Sequence, residues 1–335
     1  MPYRCSIYGL GVVANRPIPG VPSSKTASDD IRIDFGLRPA WLHEVSEAQI
    51  EPCYIADYTD ECGNAVLRVF RLLEGQYYRF CYADGTEFVV DRAGTQIWAE
   101  WPESLTLEDA TTYLLGPIMG FVMLLRGVVC LHASAVAIVS DAIALLGPAG
   151  AGKSTTAAAF AERGFSVLAE DVVTLDDRGD RFMVRPGYPC IRLWPSAVRA
   201  LYGTESQLPR LTPNWDKCYL DLTGRPEQFQ QQPLPLAGIY LLGERRDDCD
   251  APFVEPLDRA EGLMSLVANT YATKLMDKEM RAREFELLTR VLGSIPLRRV
   301  TPHVDPARIP ELCESILADF ESNHKPCIAF TSTAG

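Results

Sequence analysis

The chain has 335 residues, 47% apolar and 23% charged, the make-up of a globular protein with a sizeable core rather than a disordered or fibrous one. A net charge of −12 sets the surface as a whole against nucleic acid and anionic membrane, so an anionic ligand must meet a local cluster of cations, as a small phosphate compound can. Ten scattered cysteines without a C-x-x-C pair, four histidines, no leader-like start and no apolar stretch beyond residues 113–125 predict a cytoplasmic protein with reduced thiols, no zinc spacing and no bilayer span.

Residues 1–103 read as a β-rich N-terminal domain. Runs of β-branched and aromatic residues at 3–8, 31–35, 66–73, 77–82 and 88–91 are separated by turn pairs. Asp84-Gly85, set between two such runs, predicts a hairpin. No catalytic constellation stands out in this third, and guiding a peptide substrate is the role expected of it.

The pattern then changes. Thr106, with Asp109 three residues on, predicts a helix start, and the apolar run carries that helix to about Arg126. Strands are predicted over 128–139 and 142–146, then a helix from Lys153 to about Arg163. A strand over 166–169 runs into Glu170-Asp171. Beyond a mixed region come a strand at 236–242, helices near 260–276 and 278–292, a strand at 297–300 and a last helix at 306–320. Residues 104–321 read as a catalytic α/β domain and 322–335 as a flexible tail.

Gly147, Pro148, Ala149, Gly150, Ala151, Gly152, Lys153, Ser154 and Thr155 fit the phosphate-loop pattern G-x-x-x-x-G-K-[ST], between a predicted strand and a predicted helix. The glycines let successive N–H groups turn inward as an anion nest, and the helix adds the positive end of its dipole. Lys153 is placed to reach the β- and γ-phosphates of ATP, and the Ser154 hydroxyl to ligate Mg²⁺. A glycine-rich turn that merely caps a helix is the plain alternative, against which the flanking strand and helix weigh.

Glu170 and Asp171 close the next strand, where ligands of an open α/β sheet gather. Two adjacent carboxylates can divide the work, one holding metal and one accepting a proton. A solvated acidic turn is the bland reading of such a pair. His132 lies in an apolar strand, where a lone histidine is more often a satisfied core residue than a catalytic one.

The segment from His132 to Leu175 resembles the catalytic core of HPr serine kinase/phosphorylase and its relatives. In that family a histidine precedes the first loop glycine by fifteen residues, as His132 precedes Gly147. The family's loop helix ends in R-G, and the following strand closes on A-D-D; here the chain reads Arg163-Gly164 and Ala169-Glu170-Asp171. The resemblance implies a P-loop kinase domain with a PEP-carboxykinase-like nucleotide core, Asp171 as metal-associated acid and Glu170 in the place of the proton-accepting aspartate. Glutamate there is a departure, since it moves the carboxylate outward by a methylene. The long glycine-containing signature of true HPr kinases is also missing. Arg185–Pro195, Lys217–Leu222, Tyr8-Gly9-Leu10 and Pro17–Gly20 instead resemble HPr-kinase-like proteins encoded beside lasso-peptide genes. That resemblance implies the C-terminal serine of a precursor peptide as acceptor.

Arg192 and Lys217 are candidate cations for transition-state charge, each with an ordinary surface position as the alternative. Arg281 and Arg283 read as the solvated face of a helix, while Tyr188, Trp194 and Tyr219 could line a peptide groove or simply fill core. The sequence thus predicts an ATP- and Mg²⁺-dependent kinase acting on a serine of a peptide or small protein, with no nucleic-acid or membrane partner and with homo-oligomerisation left open. A small-molecule kinase, a nucleotide-hydrolysing switch and a binding protein with a degenerate loop are its rivals.

Overall fold

The computed structural model describes residues 2–25 and 28–323, so all but the first two residues of the predicted tail lie outside the described residues. The molecule is mixed α/β and built on two large sheets.

The first sheet holds β1 (Tyr3–Ile7), β2 (Leu10–Ala14), β3 (Ile31–Phe35), β4 (Ile50–Ile55), β5 (Leu67–Leu72), β6 (Tyr77–Tyr82), β7 (Glu87–Asp91) and β8 (Gln96–Glu100). Their order is β1-β2-β3-β8-β7-β6-β5-β4. Asp84-Gly85 makes the turn between β6 and β7: Gly85 is left-handed at φ 90°, and the Asp84 carboxylate accepts from the Thr86 N–H at 2.8 Å. The edge strand β4 went unread because Pro52 and a bulge between Pro52 and Tyr54 break its alternation. Between β1 and β2 the chain turns at Tyr8-Gly9, both left-handed (φ 52° and 75°).

Thr106 caps α1 (Leu107–Tyr113) through a reciprocal pair of bonds with Asp109. The long helix expected here is not continuous: a π turn (Leu114–Ile118) separates α1 from α2 (Met119–Leu125). Pro117 is the reason, because it has no N–H to offer the preceding turn.

The second sheet gathers β9 (Val129–Leu131), β10 (Ala133–Ile138), β11 (Asp141–Leu146), β12 (Val167–Ala169), β13 (Val173–Asp177), β14 (Phe182–Val184), β17 (Leu234–Leu242), β18 (Phe253–Pro256) and β19 (Leu297–Thr301). Its order is β12-β10-β11-β17-β14-β13-β9, with β19 beside β17 and β18 beside β19. Where one strand was expected over 128–139, the backbone breaks at His132: β9 pairs with β13, whereas β10 pairs with β11 and β12. A separate hairpin of β15 (Cys190–Leu193) and β16 (Cys218–Asp221) lies in the region read only as mixed.

Helices cover both faces, as a sheet with parallel strands at its centre requires. Alternation along β10 and β11 sorts the layers. Ala135, Ala142 and Ala144 face one core with Leu266 of α5 (Arg259–Ala268) and Leu288 of α6 (Lys278–Ser294). Val136, Ile143 and Leu145 face another with Phe160 of α3 (Lys153–Glu162) and Ile316 of α7 (Ile309–Asn323). The short α4 (Pro195–Tyr202) packs on α3. A further core joins the first sheet to α2 and reaches Val172, Tyr188 and Met276. Among the described residues the nine cysteines are free, and no helix is long and apolar enough to cross a membrane.

One close approach fixes how α2 meets the site. A Cβ on Gly120 would stand 2.5 Å from the Tyr271 ring, while a Cβ on Gly293 of α6 would meet open space. Gly120→Ala is therefore expected to lose about 1–3 kcal/mol in urea unfolding through overpacking. Gly293→Ala should instead gain up to about 1 kcal/mol from helix propensity.

Candidate active site

β10 runs antiparallel to both β11 and β12, so β11 and β12 point the same way and their carboxyl ends share one edge of the sheet. The loop 147–152 leaves β11 at that edge, and Glu170-Asp171 leaves β12 beside it. His132, just before β10, lies at the same edge. The local fold thus converts three distant stretches of sequence into neighbours.

Gly147 adopts φ 147°, and a Cβ there would stand 2.8 Å from the Leu242 carbonyl oxygen, so only glycine fits. Gly152, left-handed at φ 106°, caps α3 and brings Lys153 and Ser154 into its first turn. Lys153 is buried and donates to the carbonyls of Gly147 (2.7 Å) and Pro148 (3.1 Å). Burial lowers its pKa, opposed by the charges of Asp171 and Glu170.

The two acids take different partners. Ser154 Oγ donates to Glu170 Oε1 at 2.8 Å, and Arg192 Nε donates to Glu170 Oε2 at 3.2 Å. Asp171 Oδ2 accepts from Arg192 Nη2 (2.7 Å) and from the Tyr271 hydroxyl (3.2 Å), while Oδ1 lies 3.2 Å from His132 Nδ1. Burial alone would raise the Asp171 carboxyl; the Arg192 guanidinium and the His132 hydrogen bond outweigh it and hold the acid far below the usual carboxylate range. Asp171 also has a left-handed backbone (φ 69°), a conformation that costs energy and collects at functional sites.

Arg192, carried by β15, is buried rather than at a wet strand edge. Its third bond, from Nη1, goes to the Thr112 carbonyl at 3.3 Å, in the turn where Pro117 supplies no N–H. A guanidinium so engaged orients the acids. Lys217 lines the same cleft, of about 430 Å³, with its ammonium 5.0 Å from the Trp194 ring. Its charge bears on both Lys153 and Asp171. His132 is no sealed core histidine, since its side chain is 36% exposed and opens on the cleft. Tyr188 is buried and Tyr219 half-buried, both lining a separate cavity of about 830 Å³ that Arg192 also borders.

Two site residues escaped the sequence reading. Tyr271 reaches Asp171 because α5 ends at Ala268, well short of the expected 276, and the Tyr271 N–H bonds the Cys130 carbonyl at 2.8 Å. No motif marks it. Arg245, which donates to the Gly150 carbonyl at 3.4 Å, follows the carboxyl end of β17, and the rule used for Glu170-Asp171 could have flagged it.

Among the described residues no three His, Cys, Asp or Glu side chains make a ready metal cage. Magnesium does not need one, because it keeps waters and takes one or two protein oxygens beside substrate phosphates. Ser154 Oγ and Glu170 Oε1 offer such a pair of hard donors at 2.8 Å. A metal at Asp171, the ligand expected from the sequence, would compete with His132, Arg192 and Tyr271 for its two oxygens, as a metal at Glu170 would with Ser154 and Arg192.

Removing Arg192 should expose what it balances. Arg192→Met is expected to destabilise the fold by about 3–5 kcal/mol at neutral pH, because it leaves the buried Glu170 and the half-buried Asp171 without their shared cation. The depressed carboxyl of Asp171 stabilises the native protein above the unfolded carboxylate pKa of about 4 and loses that contribution as pH falls below it. In the variant, desolvation raises the Asp171 carboxyl instead, so its deficit should narrow between about pH 7.5 and pH 4.5 in paired urea melts.

No family model matches the sequence, and no curated protein matches it. Among solved structures the chain is similar to the Hpr(Ser) kinase/phosphatase from Coxiella burnetii, at 14% identity and a TM-score of 0.34, over 58% of this chain and 90% of that one. With so slight an overlap, the reading of the site rests on its own geometry.

Proposed function

We propose that the chain is an ATP-dependent kinase that transfers the γ-phosphoryl group to a serine hydroxyl of a peptide or small protein, the resemblance in its sequence favouring the C-terminal serine of a lasso precursor. The observation that carries this reading is the meeting of Ser154 and Glu170 at 2.8 Å, which joins the first turn after the loop to the acid pair. A phosphate held by the loop would then lie against a carboxylate, a hydroxyl and a lysine in one cleft.

The loop amides and Lys153 hold the phosphates, and Lys217 answers charge that builds on the transferred group. Ser154 and Glu170 would hold Mg²⁺, which when bound would neutralise the phosphate oxygens. Both Glu170 oxygens are engaged, by Ser154 and Arg192, which favours His132 over Glu170 as proton acceptor. Asp171 facing His132 Nδ1 fixes the neutral tautomer with its proton there, leaving Nε2 basic. The serine proton passes to Nε2, the serine oxygen bonds to the γ-phosphorus, the bond to the β,γ-bridging oxygen breaks, and ADP departs. Asp171 then faces the imidazolium, an acid–imidazole pairing that stabilises the charge.

Titration calorimetry with Mg·ATP and transfer of labelled γ-phosphoryl to serine peptides test this. Lys153→Ala should abolish detectable transfer in a folded protein; retained turnover refutes the loop's role. His132→Gln is expected to keep Mg·ATP binding while transfer falls by about 10²–10⁴. Glu170→Gln should weaken the Mg²⁺-dependent part of ATP binding. Phosphate release at an undiminished rate without any acceptor would instead mark a hydrolytic switch.

A further inference from the structure

The cleft at the phosphate loop is chemically divided. β12, with Glu170 and Asp171, lies to one side of β11; β19 lies to the other, beyond β17. The segment after β19 and the start of α7 bring Pro302, Val304, Ile309 and Leu312 into the cleft, facing Ala197 and Ala200 of α4. The two acids thus lie on the β12 side and most of the apolar surface on the β19 side, where Arg245 and Arg308 also border the cleft, with the loop between them. Val304 is 47% exposed there.

We infer that this apolar half is the slot for the heteroaromatic base of the nucleotide, an inference that rests on the triphosphate reading of the loop. If the reacting phosphate lies toward Glu170 and His132, the rest of the ligand must leave the loop on the opposite side, over Thr155 and Thr156 toward Val304 and Leu312. Alanines on the α4 wall leave room for a flat ring against the branched side chains opposite. His303 gives the slot a polar edge. Its Nδ1 accepts from the Asp305 N–H at 2.9 Å, and its Nε2 lies 3.7 Å from Asp247 Oδ1. A second cavity beside the loop, about 910 Å³ and bordered by Leu241 and Met264, touches residues 148–151 but none of Gly152 to Thr155. It therefore does not continue from the start of α3, where the phosphates would be gripped.

The test compares ATP with inorganic tripolyphosphate, both with magnesium, by titration calorimetry on the full chain. The wild-type protein should bind ATP at least about tenfold more tightly, the gain expected from burying one aromatic ring. Ala200→Leu fills the slot with a good helix former and should erase that advantage, while tripolyphosphate affinity stays within about twofold. Val304→Asn, at an exposed position, should reduce the advantage without threatening the fold. ATP binding untouched in both folded variants, or ATP and tripolyphosphate weakened alike, overturns the slot. A wild-type protein that binds tripolyphosphate as well as ATP overturns it too, while leaving the loop reading intact. Binding of neither ligand removes the triphosphate reading itself.

Discussion

One buried cation organises the site. Arg192 spends its nitrogens on Glu170, Asp171 and the Thr112 carbonyl, and so pins the end of β12, the strand β15 and the helix of the first half at a single point. Both carboxylates meet this one guanidinium, and its charge offsets the desolvation that would otherwise raise the Asp171 carboxyl. The planar guanidinium suits this better than an ammonium, because its fork directs separate N–H groups at separate acceptors. What the candidate site needs most is therefore provided by a residue that need not touch a bound ligand.

The same economy is visible in the helix behind it. Pro117 interrupts α1 and α2 with a π turn, and the carbonyls around the interruption serve other purposes. Thr112 accepts from Arg192, and Leu115 accepts from the Tyr8 hydroxyl at 2.8 Å. Tyr8 comes from the left-handed turn between β1 and β2 and packs edge-on against Tyr188 at 6.1 Å. A defect in one helix thereby ties the first sheet to the strand that carries Arg192.

Much of the loop was legible because its requirements are local. A glycine at 147, a lysine and a hydroxyl at the start of a helix, and a strand before them are all written within a few residues. Glu170-Asp171 followed from chain order, and His132 from the family resemblance that its interval to Gly147 supports. What could not be read was how these groups share partners. Glu170 and Asp171 are adjacent in sequence, yet one turns to Ser154 and the other to His132, a division set by the left-handed backbone at Asp171 and by Arg192. Tyr271 was hidden because helix periodicity runs on past Ala268, whereas the chain is drawn off by pairing of Thr270 with Leu131. The hairpin of β15 and β16 and the break at His132 are likewise outcomes of long-range pairing, which short windows of sequence do not contain.

The core that joins the first sheet to Val172, Tyr188 and Met276 bears on how such a chain can change over generations. Recombination that exchanged the first hundred residues for an unrelated module would strip the backing from Tyr188 and leave the Leu115 carbonyl without its phenol. The two halves are bound to drift together, each constraining which substitutions the other tolerates.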